Sequence, residues 1–262
     1  MIKFYQKITG CLIWPANQWR MDICFAVHSL AQYVSNPSIE HVDAMIDILR
    51  YCIGTTTKGM CYRQPHVDIP NPLKFDVLCR TDADHSNDYD SKSVMGYILS
   101  VHFPKEIDNA LETNQWPVYN SIGFRSKKQS FVVLSPHEAE MGAVCESTKV
   151  VIWFRNFLRE LNLLNTTRPS HILSDSSSTI LAMNEQRSSS ATRHYARHYN
   201  FTKAQVRQNE IRVMKIKTSD NHSDCLTKFK SITDLNKDAD SFMSNAEVST
   251  SNSNKKSSIK KS

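Results

Sequence analysis

Residues 135–161 constrain the fold of this chain more than any other stretch. Ser135 stands where a helix N-cap would, Pro136 fills the first helical position and Glu138 completes a capping box. Apolar residues then recur at helical spacing through Ala143, Val144, Val151, Phe154, Leu158 and Leu161, and Trp153, Phe154 and Phe157 are expected in the core. A helix of this length needs a broad apolar surface to lie on. Strand-like runs supply one. Leu73–Thr81, Val94–His102 and Val118–Phe124 precede the helix, each short, rich in branched or aromatic residues and bounded by polar turns, so they predict an antiparallel meander. His171–Ser174 and Ile211–Ile216 follow it. The order β-β-β-α-β-α-α-β-α makes this an α/β chain, with further helices predicted over Ser176–Asn184, over Thr192–Gln208 and starting near His222–Thr227.

The segment ahead of the strands has a different period. Residues 18–34 place Ile23, Val27, Leu30 and Val34 on one helical face behind Asp22, and 38–53 do the same with Val42, Met45, Ile46, Leu49 and Ile53. Ser38 and Glu40 suit the start of the second helix and Gly54 lies just past its end. Gln64–Pro72 reads as a linker. The expected division is a small helical unit over 1–68, an α/β domain over 73–230 and a disordered Ser/Asn/Lys-rich tail over 241–262.

With 262 residues the chain has room for one good core and a smaller unit. Its formal charge is +6, but residues 191–217 hold seven Arg or Lys against Glu210 alone, which points to a polyanionic partner or to a solvated helix face. Seven scattered cysteines without a Cys-x-x-Cys pair argue against a disulfide framework and a structural zinc site. The apolar run Cys11–Trp14 is stopped by Pro15 and is too short for a signal sequence or a span, so an intracellular protein with no membrane partner is expected, in the cytoplasm or the nucleus.

Four acids stand at positions from which a fold could gather them. Asp82 ends a strand-like run, Glu140 lies in the first turns of the long helix, Asp175 closes His-Ile-Leu-Ser-Asp, and Asp224 precedes Cys-Leu-Thr-Lys. Each has a plainer reading: Asp175 and Asp224 suit helix N-caps, Asp84 competes with Asp82, and Glu138 competes with Glu140.

The motifs around these acids resemble the C-terminal end of a copia-type LTR retrotransposon Pol polyprotein, a ribonuclease H domain preceded by the last helices of the reverse transcriptase. Thr-Asp-Ala-Asp (81–84), Ser-Lys-Ser-Val-Met-Gly-Tyr (91–97), Ser-Lys-Lys-Gln (126–129) and Leu-Ser-Pro-His-Glu-Ala-Glu (134–140) are similar to the family's first blocks. Ser-Asp-Ser-Ser-Ser-Thr-Ile (174–180), Thr-Arg-His-Tyr (192–195) and Ser-Asp-Cys-Leu-Thr-Lys (223–228) are similar to the later ones. Upstream, 20–27, Ser-Asn-Pro (35–37) and 49–56 look like the segment that closes the polymerase. The resemblance implies a ribonuclease H-like mixed five-stranded sheet flanked by helices. It implies Asp82, Glu140, Asp175 and Asp224 as catalytic metal ligands, favouring Asp82 over Asp84 and Glu140 over Glu138.

Phosphodiester hydrolysis builds charge on the phosphate and on both axial oxygens, and two Mg²⁺ ions, or Mn²⁺, can answer it. Hard cations prefer oxygen donors, which suits Asp and Glu. The expected substrate is an RNA–DNA hybrid, gripped by Arg193, Arg197, Lys203, Arg207, Lys127 and Lys128 with little sequence preference. His222 is an auxiliary candidate in product release, and His194 with His198 form a weaker zinc-like pair. No Asp-Asp dipeptide is present, so no polymerase metal site is expected; the upstream reverse transcriptase portion would be a missing partner. Phe103–Gln115 reads as an insertion between two strands. The alternative readings are a catalytically silent retrotransposon remnant that binds nucleic acid at most, and a resolvase- or transposase-like nuclease of the same fold.

Overall fold

A computed structural model describes residues 1–63, 71–85, 92–130, 132–184 and 196–245. Three helices come first: α1 (Ile2–Gln18), α2 (Met21–Ala31) and α3 (Ile39–Gly54). The helix α1 was not expected. It runs through Pro15 and buries Tyr5, Thr9, Leu12 and Ala16, a strict helical spacing. Pro15 lies close to its end, where the backbone N–H groups of Trp19 and Arg20 both bond its carbonyl. Ser38 caps α3 as predicted, accepting from the His41 N–H, while the His41 ring accepts from the Ser38 N–H at 3.0 Å. Gly54 is the last helical residue, and Thr55 is the C-cap. The three helices share a core of Tyr5, Leu12, Ile23, Val27, Leu30 and Met45, pinned by the Tyr5 hydroxyl on the Leu30 carbonyl at 2.7 Å.

The strands are β1 (Lys58–Met60), β2 (Asp76–Asp84), β3 (Val94–His102), β4 (Ser121–Lys128), β5 (Ser170–Ser174), β6 (Ile211–Lys215) and β7 (Met243–Asn245). Five of them form one mixed sheet in the order β4-β3-β2-β5-β6. The first three are antiparallel, as predicted, and β2, β5 and β6 are parallel. This is the α/β architecture that the motifs implied, a mixed five-stranded sheet flanked by helices. The expected insertion between β3 and β4 folds as α4 (Pro104–Thr113), which starts with a proline and buries Ile107 against Leu78, Leu173 and Ile216.

Opposite that, α5 (Pro136–Glu160) lies across the sheet and packs Met141, Val144, Val151 and Leu158 on Val77, Cys79 and Ile172. Ser135 accepts from the Glu138 N–H, but the Glu138 carboxylate reaches one residue further back, to the Leu134 N–H at 2.6 Å. Trp153 and Phe157 are exposed, at 66% and 46%, and only Phe154 of the expected aromatic trio packs on the core. Helices α6 (Ser177–Asn184) and α7 (Ala196–Arg207) extend the same layer.

Past β6 the chain makes two short 3-10 turns, Thr218–Asp220 and His222–Leu226, where an α-helical start was expected, and then α8 (Ile232–Phe242). Residues 241–245 therefore take part in α8 and β7; residues 246–262 lie outside the described residues. The strand β7 pairs antiparallel with β1, Lys58 opposite Asn245. Met21 and Cys24 of α2, Ile98 of β3, Leu226, Phe242 and Met243 pack as one cluster. The helical segment and the sheet therefore share a core across the boundary expected from sequence. No helix among the described residues is long and apolar enough to cross a membrane.

Candidate active site

Parallel pairing of β2 with β5 sets the site. Leu78 is opposite His171 and Arg80 opposite Leu173, so continuing the register by two residues brings Asp82 level with Asp175 at the C-terminal ends of both strands. Glu140, on the first turns of α5, completes the cluster: Asp82, Glu140 and Asp175 each offer a carboxylate oxygen, and these oxygens all lie within 4.8 Å of one another.

Three carboxylates this close cannot all be ionised without a counter-charge. Burial first, and then the charges of Asp82 and Asp175, push Glu140 up to about 9. Asp82 is pushed up to about 7, again chiefly by burial, with Asp224 and Asp175 adding to the rise and the Thr227 hydrogen bond opposing it. Glu140 Oε2 is buried with no hydrogen-bond partner. An orphaned buried oxygen beside two further acids is the donor set a hard divalent cation takes. Asp175 is free of the capping role considered for it, because the Ser176 hydroxyl accepts from the Thr179 N–H.

Asp224 stands close enough to raise both Asp82 and Glu140, but it is not in the cluster of three. Its carboxylate is held by Lys228 at 2.7 Å and by Lys230 at 3.5 Å. Lys230 also pairs with Asp238 of α8. The 3-10 turn that bears Asp224 is tied to β2 by Asn221, whose amide donates to the Thr81 carbonyl at 3.1 Å, and by Thr227, whose hydroxyl donates to Asp82 Oδ2. Gly96, opposite Asp82 on β3, permits this approach: a Cβ there would lie 2.6 Å from Leu226 Cβ and 3.1 Å from Thr227 Cγ2. Thr227, Lys228, Gly96 and Asp238 were given no role from sequence. The first three lie inside the motif blocks, whereas Asp238 lies on a helix with no motif at all.

The basic candidates divide. Lys127 and Arg207 are exposed, and Lys128 donates to Gln32, the C-cap of α2, at 3.0 Å. Lys203 is 4% exposed, its ammonium against the Tyr199 ring and hydroxyl, so it does not lie on the outer face predicted for it. Arg193, with His194, lies outside the described residues, as do the side chains of Arg197 and His198. His222 points to Asp238 at 3.3 Å and lines a depression of about 510 Å³ with Glu106, Trp116 and Tyr119, apart from the three carboxylates.

No family model matches the chain. Among curated proteins it is 31% identical over 225 residues to the retrovirus-related Pol polyprotein from transposon TNT 1-94 of Nicotiana tabacum, and 33% identical over 227 residues to that from transposon RE1 of Arabidopsis thaliana. Each match covers 86% of this chain. The chain is a relative of the Pol polyproteins of copia-type transposons. This Pol relative spans 15% of the length of the tobacco protein and 14% of the Arabidopsis one. It is also 25% identical over 231 residues to the Transposon Ty1-H Gag-Pol polyprotein of Saccharomyces cerevisiae, of which it spans 11%. Among solved structures, the foamy viral protease-reverse transcriptase dRH in complex with double-stranded DNA aligns with 82% of the Pol relative and 32% of its own chain, at a TM-score of 0.43 and 13% identity. RNase H1 from Halobacterium salinarum aligns with 58% of the Pol relative and 94% of its own chain, at a TM-score of 0.37 and 9% identity.

Proposed function

We propose that this chain is the ribonuclease H portion of a retrotransposon Pol protein, hydrolysing the RNA strand of RNA–DNA hybrids with divalent cations held by Asp82, Glu140 and Asp175. The observation that carries the reading is the gathering of those three carboxylates, from β2, α5 and the end of β5, within 4.8 Å. Asp224 is the acid assigned to a second ion, standing between the cluster and the ammonium groups of Lys228 and Lys230. Bound Mg²⁺, or Mn²⁺, would neutralise charge on the phosphate and activate the attacking water. The chain's own part is to hold the acids in place. Thr227 fixes the Asp82 carboxylate, Gly96 lets the Asp224 turn close on the sheet, and Glu140 keeps an oxygen without a protein partner.

Hybrid recognition would rest on Lys127, Lys128 and Arg207, joined by Arg193 and Arg197, with groove width and 2′-hydroxyls rather than base edges setting preference. The place of work is assigned to the cell interior, in keeping with seven free thiols. The test is cleavage of a labelled RNA–DNA hybrid in Mg²⁺ by purified protein, beside Asp175→Asn and duplex DNA and RNA controls. Hybrid-specific cutting that the variant loses is the expected result. A folded protein that binds hybrid and cuts nothing would establish the silent reading instead, and cutting of duplex DNA would move the activity to a different nuclease class.

A further inference from the structure

A groove leads away from the carboxylates along α2. Phe25 and Ser29 on one face of that helix, with Gln32 just past its end, line a depression of about 710 Å³ against β3 and β4. The same three residues, with Val94, line a second depression of about 340 Å³, whose far wall holds Asp84, Thr227 and Lys228. Shared walls make the two a continuous path. At one end Thr227 is hydrogen-bonded to Asp82. At the other the edge strand β4 presents Arg125, Lys127 and Lys128.

The path is both basic and aromatic. Arg125, Lys127, Lys128 and Lys228 lie along it, and among the described residues that line it Asp84 is the one carboxylate. Rings stand at intervals: Tyr97 and Phe124 beside the basic end, Phe25 packed edge to face on Phe229 with centroids 4.8 Å apart, and Tyr33 stacked on His41 at 3.8 Å. Phe229 is 69% exposed, so most of its ring is open to a stacking partner. Of these rings Tyr33 and Phe229 are exposed, and cations beside exposed rings bind a polynucleotide whose bases are free to stack, since every base has a π-face and every linkage a charge. A paired duplex offers its phosphates to such a groove but no base face.

We propose that the groove between α2 and strands β3 and β4 binds an unpaired nucleic-acid strand that continues from the hybrid held at the carboxylates. The proposal rests on the hybrid reading for its direction and gives the N-terminal helical segment a part in substrate binding. The shared chemistry is an unpaired DNA or RNA strand, and the two sources are separated by the test.

The test compares binding of a fluorescein-labelled blunt RNA–DNA hybrid with the same hybrid carrying a single-stranded overhang, by anisotropy without divalent cation. Overhangs of DNA and of RNA, on either end, form separate arms. At least one overhang is expected to tighten binding about tenfold, which lies within what one base stacked on an aromatic ring supplies. Phe229→Ala and, separately, Arg125→Ala, both at exposed positions, are expected to shrink that increment to about twofold or less. The proposal is overturned when no overhang tightens binding in the unaltered protein, or when both variants keep the full increment. A protein that cuts no hybrid and still shows the overhang increment would remove the nuclease reading and leave the groove standing.

Discussion

The hydroxyl of Thr227 donates to Asp82 Oδ2, joining a 3-10 turn to the end of a sheet strand 145 positions away. This one contact holds the Asp224 turn against the acid that β2 contributes, and it favours the ionised form of Asp82 against the burial that opposes it. Thr227→Val keeps the shape and removes the donor. Asp82 is then expected to rise further, and hybrid cleavage at pH 7 to fall about tenfold, the worth of one hydrogen bond to a charged group. Raising the pH to 9 should recover part of the loss, and Thr227→Ser should behave as the unaltered protein. A pH–rate profile of the valine variant lying parallel to the original would contradict this role.

Gly96 is required for its lack of a side chain, not for its backbone angles. Gly96→Ala sets a methyl 2.6 Å from Leu226 Cβ, and both partners are backbone-tethered atoms that cannot swing aside. The turn must move. A loss of about 1–3 kcal/mol in stability is expected, as for other overpacked interiors, with a larger loss of cleavage than of hybrid binding. Urea unfolding measures the first, and an unchanged midpoint would sink the prediction.

Glu140 makes the metal-free site less stable as pH rises. Its folded pKa, about 9, lies above the ordinary 4.5, so the folded state keeps a proton that the unfolded chain releases. Stability from this group is present in full below about 4.5 and is lost as pH climbs to about 9. Glu140→Gln does not titrate. Its lead in stability over the unaltered protein, measured in chelator, should widen from pH 5 to pH 9 and narrow again at high pH when millimolar Mg²⁺ is added. A lead that stays constant with pH would refute the buried, crowded carboxyl.

Asp238 anchors Lys230 behind Asp224. It pairs with Lys230 and faces His222 at 3.3 Å, and its own position on α8 is 8% exposed. Asp238→Asn should cost about 2 kcal/mol, as loss of a charged hydrogen-bond partner does. Thermal unfolding at two salt concentrations gives the check: the difference between variant and original should shrink at high salt.

A fragment spanning residues 73–230, the domain expected from sequence, should not fold stably. It lacks Met21, Cys24, Phe242 and Met243, which cover Ile98, Leu226 and Cys225 on one face of the sheet. Far-UV circular dichroism and dye binding would show exposed apolar surface in the fragment and not in the full chain. A cooperative unfolding transition for the fragment would refute the shared core.

Local signals were legible and distant ones were not. Ser135 and Pro136 announce α5, and β3 occupies the residues its branched and aromatic content between polar turns predicts, because caps and turns are decided within a few residues. The three acids of the cluster were readable from their motif blocks. Lys203 was not: its neighbours in sequence mark a basic helix, but its depth depends on Tyr199 one turn earlier and on α5 beneath. Trp153 and Phe157 lie on a helical stripe, yet α5 carries them past the surface that covers Phe154. Pro104 with Glu106 is a start signal for α4, obscured because the segment read as an interruption between strands. Nothing in Lys58–Met60 announces a partner that lies beyond β6.

That last pairing orders the birth of the molecule. When β1 leaves the ribosome, the residues it bonds to are nearly two hundred peptide bonds from being made. The helices that precede it can settle on one another, but the face they offer to the sheet stays open until α8 and β7 arrive. The clasp therefore closes only once residues 243–245 have been made, and a stall before residue 243 leaves Met21 and Cys24 without the Phe242 and Met243 that pack on them.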